Sequence, residues 1–314
     1  MAVKLRKEKE VAARTIDLRN KVSLAKQQAG LLTQAAQVEF VLDISGSFAG
    51  RYHDNTVQDI VERLAPIALE FDADGTMPVT LFGADAHEAP AITQANLCEY
   101  VNREVVTRYP FEGGTRYAKP LWQIVRRHFG VAVQEESSGG WFRKKTEVKI
   151  VQQAPAAVPV FVQFITDGDN QDRKETENLL RMMEVLPIFI QFVGVGTTSF
   201  AFLRKLDEMP RDLLDNAGFF QVKDIVNTSD EQLYRDMLHE FPAWLDKAKA
   251  KGLVHNNPQS IPPAASAPPL PPPSPAPRQQ TAPTADDLCL MCKGAGGSCV
   301  FCKGTGRRLD RSRT

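Results

Sequence analysis

Residues 41–50 read VLDISGSFAG. An apolar run ends in Asp43, and hydroxyls follow at alternate positions, Ser45 and Ser47. Two later stretches place the same kind of donor where a chain turns. FEGGTRYAKPL sets Thr115 after two glycines, and FVQFITDGDN sets Asp167 at the end of an apolar run. By itself DISGS is also what an ordinary strand-to-helix turn looks like, with Asp and Ser as turn and capping residues. The three stretches together offer two carboxylates and three hydroxyls. Hard oxygen donors of that kind suit Mg²⁺, Mn²⁺ or Ca²⁺ rather than Zn²⁺.

A softer donor set closes the chain. CLMCKGAGGSCVFCKGTG repeats CxxCxGxG twice, with Cys289 and Cys292, then Cys299 and Cys302. Two such thiolate pairs close a tetrahedral Zn²⁺ site. The glycines let the backbone fold back toward the sulfurs. The segment is too short for a core of its own, so metal binding is expected to supply most of its folding energy. Lys293, Lys303, Arg307, Arg308, Arg311 and Arg313 surround it; they offset the thiolate charge or contact phosphates.

Other chemistries find less support. DGDNQDRKE starts like a calcium loop at Asp167 and Asp169, but Gln171 and Asp172 stand where a ligand and the turn glycine are needed. Asp169 is read as a turn former and Asp172 as the cap of the helix that follows. FDADG (71–75) is read as a plain turn. No GK[ST] phosphate loop or GxSxG elbow is present. The histidines, at 53, 87, 128, 239 and 255, share no motif, and His128 is read as a surface or capping residue. No catalytic residues are assigned, and an enzyme is not expected. A metal-dependent hydrolase is the alternative of that class.

The elements that must hold these residues follow from apolar periodicity. VEFVLDI (38–44), PVTLFG (78–83), PVFVQFIT (159–166) and PIFIQFVGVG (187–196) read as buried strands, EAPAIT as an edge strand and GFFQV as a short one. Helical spacing covers 56–70, 94–105, 116–129, 173–186, 199–209 and 230–251, the last with a kink at Pro242. Residues 3–36 read as short strand and helix. The alternation predicts an α/β fold, a mostly parallel sheet with helices on both faces. Ligands in such folds bind outside the carboxyl ends of the strands, where Asp43, Gly83, Asp167 and Gly196 fall. Residues 137–158 read as an inserted hairpin or flap with Trp141 and Phe142 at its tip.

The 314 residues suffice for one or two domains. A basic segment (1–36) precedes the α/β domain (37–252). Eleven of the 21 prolines fall between Asn256 and Asp287, which reads as a semi-rigid polyproline linker (253–287) to the zinc knuckle (288–306) and a basic tail (307–314). Lys+Arg and Asp+Glu both number 38, so net charge does not point to nucleic acid. No 18-residue apolar run exists, and the first residues, MAVKLRKEKE, are charged where a leader needs an apolar segment. With four of five cysteines clustered in the last 26 residues, a reducing, cytoplasmic location is expected. Cys98 reads as a small apolar residue on a helix, and Met182 and Met183 as part of a core-facing stripe.

DISGS, GGT and TDGDN, in that order, resemble the metal-ion-dependent adhesion site of von Willebrand factor A domains. KVSLAKQ, VEFVLDISGSF and VQDIVERLAPIALEFDADG are further similar to the A domains of bacterial tellurium-resistance and stress-response proteins, which are related to copines. The resemblance spans roughly residues 15–250. It implies Mg²⁺ or Ca²⁺ held by Ser45, Ser47 and Thr115, with Asp43 and Asp167 direct or through water, and a protein partner that offers an Asp or Glu. The cysteine repeat resembles that of DnaJ-type cochaperones, which carry four copies where this chain has two. The expected function is therefore a non-enzymatic scaffold in a stress-response system, with a second partner at the zinc knuckle. The alternative of another class is a nucleic-acid-associated factor that uses the knuckle and the basic segments.

Overall fold

The computed structural model describes residues 8–255 apart from 73, 139–144, 153 and 169. The proline-rich linker, the four knuckle cysteines, the basic tail, Trp141, Phe142 and Asp169 lie outside the described residues.

Six strands form one sheet: β1 (Gln37–Asp43), β2 (Thr76–Phe82), β3 (Ala86–Thr93), β6 (Val160–Thr166), β7 (Ile188–Val195) and β8 (Ala217–Val222). Their order is β3-β2-β1-β6-β7-β8. All neighbours are parallel except β3, which runs antiparallel on the β2 edge. Strands β1, β6 and β7 are rich in β-branched and aromatic residues because both faces are covered, with Glu39, Gln163 and Gln191 as buried polar members. Chain order reverses between β1 and β6: β1 is followed by β2 on one side, and β6 by β7 on the other. That junction is the topological switch point, where neighbouring loops splay apart and leave a crevice.

One face of the sheet packs on α1 (Glu8–Gln28), α3 (Thr56–Phe71), α7 (Asp230–Leu238) and α8 (Phe241–Ala250). The other packs on α4 (Ala118–Phe129), α5 (Arg173–Met182) and α6 (Ala201–Glu208). A short helix, α2 (Ala49–His53), follows the Asp43 loop. Strands β4 (Val133–Ser138) and β5 (Lys145–Ile150) make a separate hairpin. It begins at Val133, four residues before the expected insertion, because only a single 3-10 turn, Gly130–Ala132, separates it from the end of α4.

Several sequence expectations need correction. Among its described residues the opening segment holds no strand. It is one helix of 21 residues whose buried stripe is Val11, Thr15, Leu18, Val22 and Lys26. The polar stripe members masked the helical period: Thr15 Oγ1 donates to Val11 O, and Lys26 Nζ to the Gln34 and Glu70 carbonyls. Arg14 pairs with Asp59 and Glu62, Arg19 with Glu70, and Lys21 with Asp230. These basic side chains are engaged with α3 and α7. Residues 94–105 are a turn followed by a π-helical stretch, Val101–Val106, entered through Glu99 in the left-handed region (φ 57°). Cys98 lies in that turn rather than on a helix, half-buried against the core. Residues 230–251 are two helices broken at His239–Glu240, not one kinked helix. Pro242 sits in the first turn of α8, where its missing N–H leaves no bond unmade.

Asp172 precedes α5, yet its carboxylate makes no cap bond to that helix. It accepts instead from the Tyr117 and Ala118 amides, both at 3.0 Å, and so caps α4.

Candidate metal centre

The oxygen donors come together at the β1–β6 junction. Asp43 is the last residue of β1 and is fully buried. The Ser45 amide folds back to donate to Asp43 Oδ1 at 2.7 Å. Ser45 Oγ lies 3.1 Å from Ser47 Oγ, and Ser47 Oγ donates to Asp167 Oδ1 at 2.9 Å. Thus the alternating serines link into a chain that ends, through Ser47, on the carboxylate following the neighbouring strand.

Thr115 joins through its backbone. The Glu112 amide donates to Ile44 O and the Gly46 amide to Glu112 O, both at 2.9 Å, which stitches this loop to the DISGS turn. The Gln171 amide donates to Thr115 O at 2.9 Å, which ties the same loop to the TDGDN turn. Gly114 takes φ 120°, a left-handed conformation that glycine adopts without penalty, and an added Cβ there would press on the Gln171 side chain at 3.0 Å. Thr115 itself is buried. The structure therefore brings all three predicted segments to one rim, with Asp43, Ser45, Ser47 and Asp167 in one hydrogen-bonded chain.

The electrostatics favour a cation. Burial pushes the Asp43 carboxyl up to about 6, against the opposing pull of the Ser45 and Thr166 hydrogen bonds. Burial also raises Asp167, again only partly offset by Ser47 and Arg51. Two buried acids beside two hydroxyls present the hard oxygen donors that a divalent ion takes. Among the described residues no three His, Cys, Asp or Glu side chains group as metal ligands. The donor set proposed for this rim depends on hydroxyls.

The structure adds residues the sequence did not single out. Thr166 Oγ1 donates to Asp43 Oδ2 at 2.6 Å and fixes the carboxylate's orientation. Leu42 pairs with Ile165 across β1 and β6, so Asp43 and Thr166 follow side by side; only the register reveals this. Tyr52 OH donates to Asp43 O at 2.7 Å. Glu112 accepts from the Asp85 amide and lies 2.6 Å from His87 Nε2, which fixes the loop before Thr115 to the β2–β3 turn. Arg51 Nε lies 4.0 Å from Asp167 Oδ2.

His128 is neither a surface nor a capping residue. Its Nε2 lies 2.6 Å from Glu39 Oε1, and Arg127 Nη1 is 2.6 Å from Glu39 Oε2. Glu39 is fully buried in β1, four residues before Asp43 toward the strand's amino end. The pairing neutralises a buried acid far from the candidate site.

Comparison with known proteins agrees with this architecture. A family model for the vWA domain found in the TerF C terminus matches residues 35–254. An uncharacterized Bacillus subtilis (strain 168) protein, YcbR, is 32% identical over 242 residues, covering 76% of this chain and 90% of that one. Copine-C of Dictyostelium discoideum is 26% identical over 234 residues, covering 67% of this chain but only 40% of Copine-C. Among solved structures, the ArnB paralog VWA2 from Sulfolobus acidocaldarius aligns at TM-score 0.36 and 12% identity, over 66% of this chain and 45% of that one. Proximal thread matrix protein 1 from the mussel byssus, with a zinc-occupied MIDAS motif, aligns at TM-score 0.37 and 18% identity, over 67% and 46%.

Proposed function

Because the chain belongs to the family of von Willebrand factor A domains found in the TerF C terminus, we propose that its rim is a metal-ion-dependent adhesion site and that the protein is a binding scaffold. Ser45, Ser47 and Thr115 would hold a divalent cation, Mg²⁺ or Ca²⁺, with Asp43 and Asp167 supplying the charge. A partner protein would complete the site with an Asp or Glu side chain. The observation that carries this reading is the unbroken chain from Ser45 through Ser47 to Asp167, beside a buried Asp43 oriented by the Ser45 amide and Thr166. Thr166 and the Ser45 amide orient Asp43, and the Glu112 and Gln171 backbone bonds hold Thr115 in the same loop cluster. The bound cation supplies Lewis acidity and positive charge; every positioning contact belongs to the chain.

The remaining parts of the proposal rest on the sequence. Cys289, Cys292, Cys299 and Cys302 would bind one Zn²⁺ and present a second contact, tethered by the proline-rich linker, so that the two binding events reinforce each other. A tellurium-resistance or other stress-response setting would follow from the family, and a cytoplasmic one from the clustered cysteines. Elemental analysis of the full chain checks the knuckle: about one zinc per chain is expected, and none refutes it.

The adhesion reading is tested by pull-down in Mg²⁺ and in EDTA, with Asp43→Ala alongside. Partners should be retained in Mg²⁺ and lost both in EDTA and with the variant. The same partners under all three conditions would refute it.

A further inference from the structure

Arg51 is the one cation whose guanidinium reaches this rim among the described contacts, and nothing so far gives it a task. It rises from α2, the helix that leaves the DISGS turn. Its Nε faces Asp167 Oδ2 at 4.0 Å and is buried without a hydrogen-bond partner. Its Nη2 donates to Val195 O at 3.1 Å, at the end of β7. Its guanidinium carbon stands 5.7 Å from the Phe48 ring centroid. Gly196, with φ 116°, leaves the space it fills; a Cβ there would lie 2.5 Å from Nη2. The side chain still keeps 31% of its surface exposed.

Two features of this placement matter. First, Arg51 is anchored by a carbonyl and an aromatic face that do not depend on Asp167. Second, a dication against Asp43 and Asp167 is formally neutral, and Arg51 leaves the rim with one positive charge in excess. A neutral oxygen donor cannot balance that charge; an anionic one can. A guanidinium also offers its N–H groups in a plane that matches a carboxylate.

Building on the adhesion-site reading, we propose that Arg51 is the second half of the carboxylate receptor: the cation takes one oxygen of the incoming acid and Arg51 takes the other. The same residue opposes filling of the metal site when no acid is present. It therefore couples cation and carboxylate, so that each binds better with the other.

The experiment titrates Mn²⁺ into the full chain and follows free Mn²⁺ by electron paramagnetic resonance and water relaxation, with and without acetate, and with acetamide as the neutral control. Removing a unit charge a few ångströms from a dication, in a partly solvated site, should tighten Mn²⁺ binding alone by about five- to tenfold in Arg51→Gln. Acetate should tighten Mn²⁺ binding in the wild type and do so at least about fivefold less in Arg51→Gln. Acetamide should act on neither. Arg51→Lys keeps the charge without the fork. It should hold Mn²⁺ within about twofold of wild type while its acetate response falls. It also decides the matter if the Gln variant does not fold. Unchanged Mn²⁺ affinity and acetate response in the variants would overturn the role of Arg51 and leave the adhesion site standing. No Mn²⁺ binding by the wild type would overturn both.

Discussion

Asp172→Ala tests how the Thr115 loop is held. The carboxylate accepts from Tyr117 N and Ala118 N at 3.0 Å each, and Asn170 Nδ2 donates to it at 2.9 Å. Loss of a helix N-cap costs about 0.5–2 kcal/mol. The negative charge at the helix N-terminus adds about 0.3–1 kcal/mol. Asn170 then has one partner fewer in a buried position, a further cost of about 1 kcal/mol. Together these give roughly 3 kcal/mol. With a urea slope of about 3 kcal/mol/M for a domain of this size, the unfolding midpoint should fall by about 1 M. Tyr117 lies two residues beyond Thr115, so loosening this cap should also weaken Mn²⁺ binding by about tenfold, as for other outer-shell supports. Asp172→Asn keeps one acceptor and should lose about half as much stability. Equilibrium urea unfolding read by circular dichroism, in EDTA, gives the stability change. A loss below about 1 kcal/mol for the Ala variant would refute the capping argument.

Other consequences are equally direct. Gly196→Ala forces a Cβ into a left-handed backbone and to 2.5 Å from Arg51 Nη2, and should cost about 1–3 kcal/mol in thermal or urea unfolding; a neutral result would mean that Arg51 is not fixed there. Glu39→Ala strands Arg127 and His128 without their buried acid and should cost about 3–5 kcal/mol, whereas a change within 0.5 kcal/mol, typical of a surface site, would contradict the burial of Glu39. Glu240, half-buried between α7 and α8, is pushed from 4.5 up to about 7 by burial, with Asp207 and Asp215 adding to it. The folded state thus holds an extra proton between those values, and this group's contribution to stability falls as pH rises from 4.5 to 7. Glu240→Gln should match wild type near pH 5 and exceed it at pH 8 by roughly 1–2 kcal/mol after allowance for solvent screening. Parallel stability curves for the two proteins would contradict this.

The sequence by itself determined much of this protein. Mostly apolar runs ending in Asp43 and Asp167 mark buried parallel strands, because strands covered on both faces carry apolar residues on both, Glu39 and Gln163 being the polar members. The carboxyl ends of those strands then locate the donors, and hydroxyl and carboxylate chemistry defines the class of cation they suit. Tertiary structure alone decided which groups support the donors. Thr166 meets Asp43 only through the β1–β6 register. Asp172 caps a helix more than 50 residues away in the chain rather than its own. Arg51 reaches Asp167 and Val195 across two strand ends. The long first helix was obscured because its buried stripe includes Thr15, which donates back to Val11 O within the helix, and Lys26, whose partners lie outside it. Lys26 donates to the Gln34 and Glu70 carbonyls, and Glu39 finds Arg127 and His128 on α4. Lys26 and Glu39 are buried where other segments complete their hydrogen bonds, and local periodicity carries no information about such a distant partner.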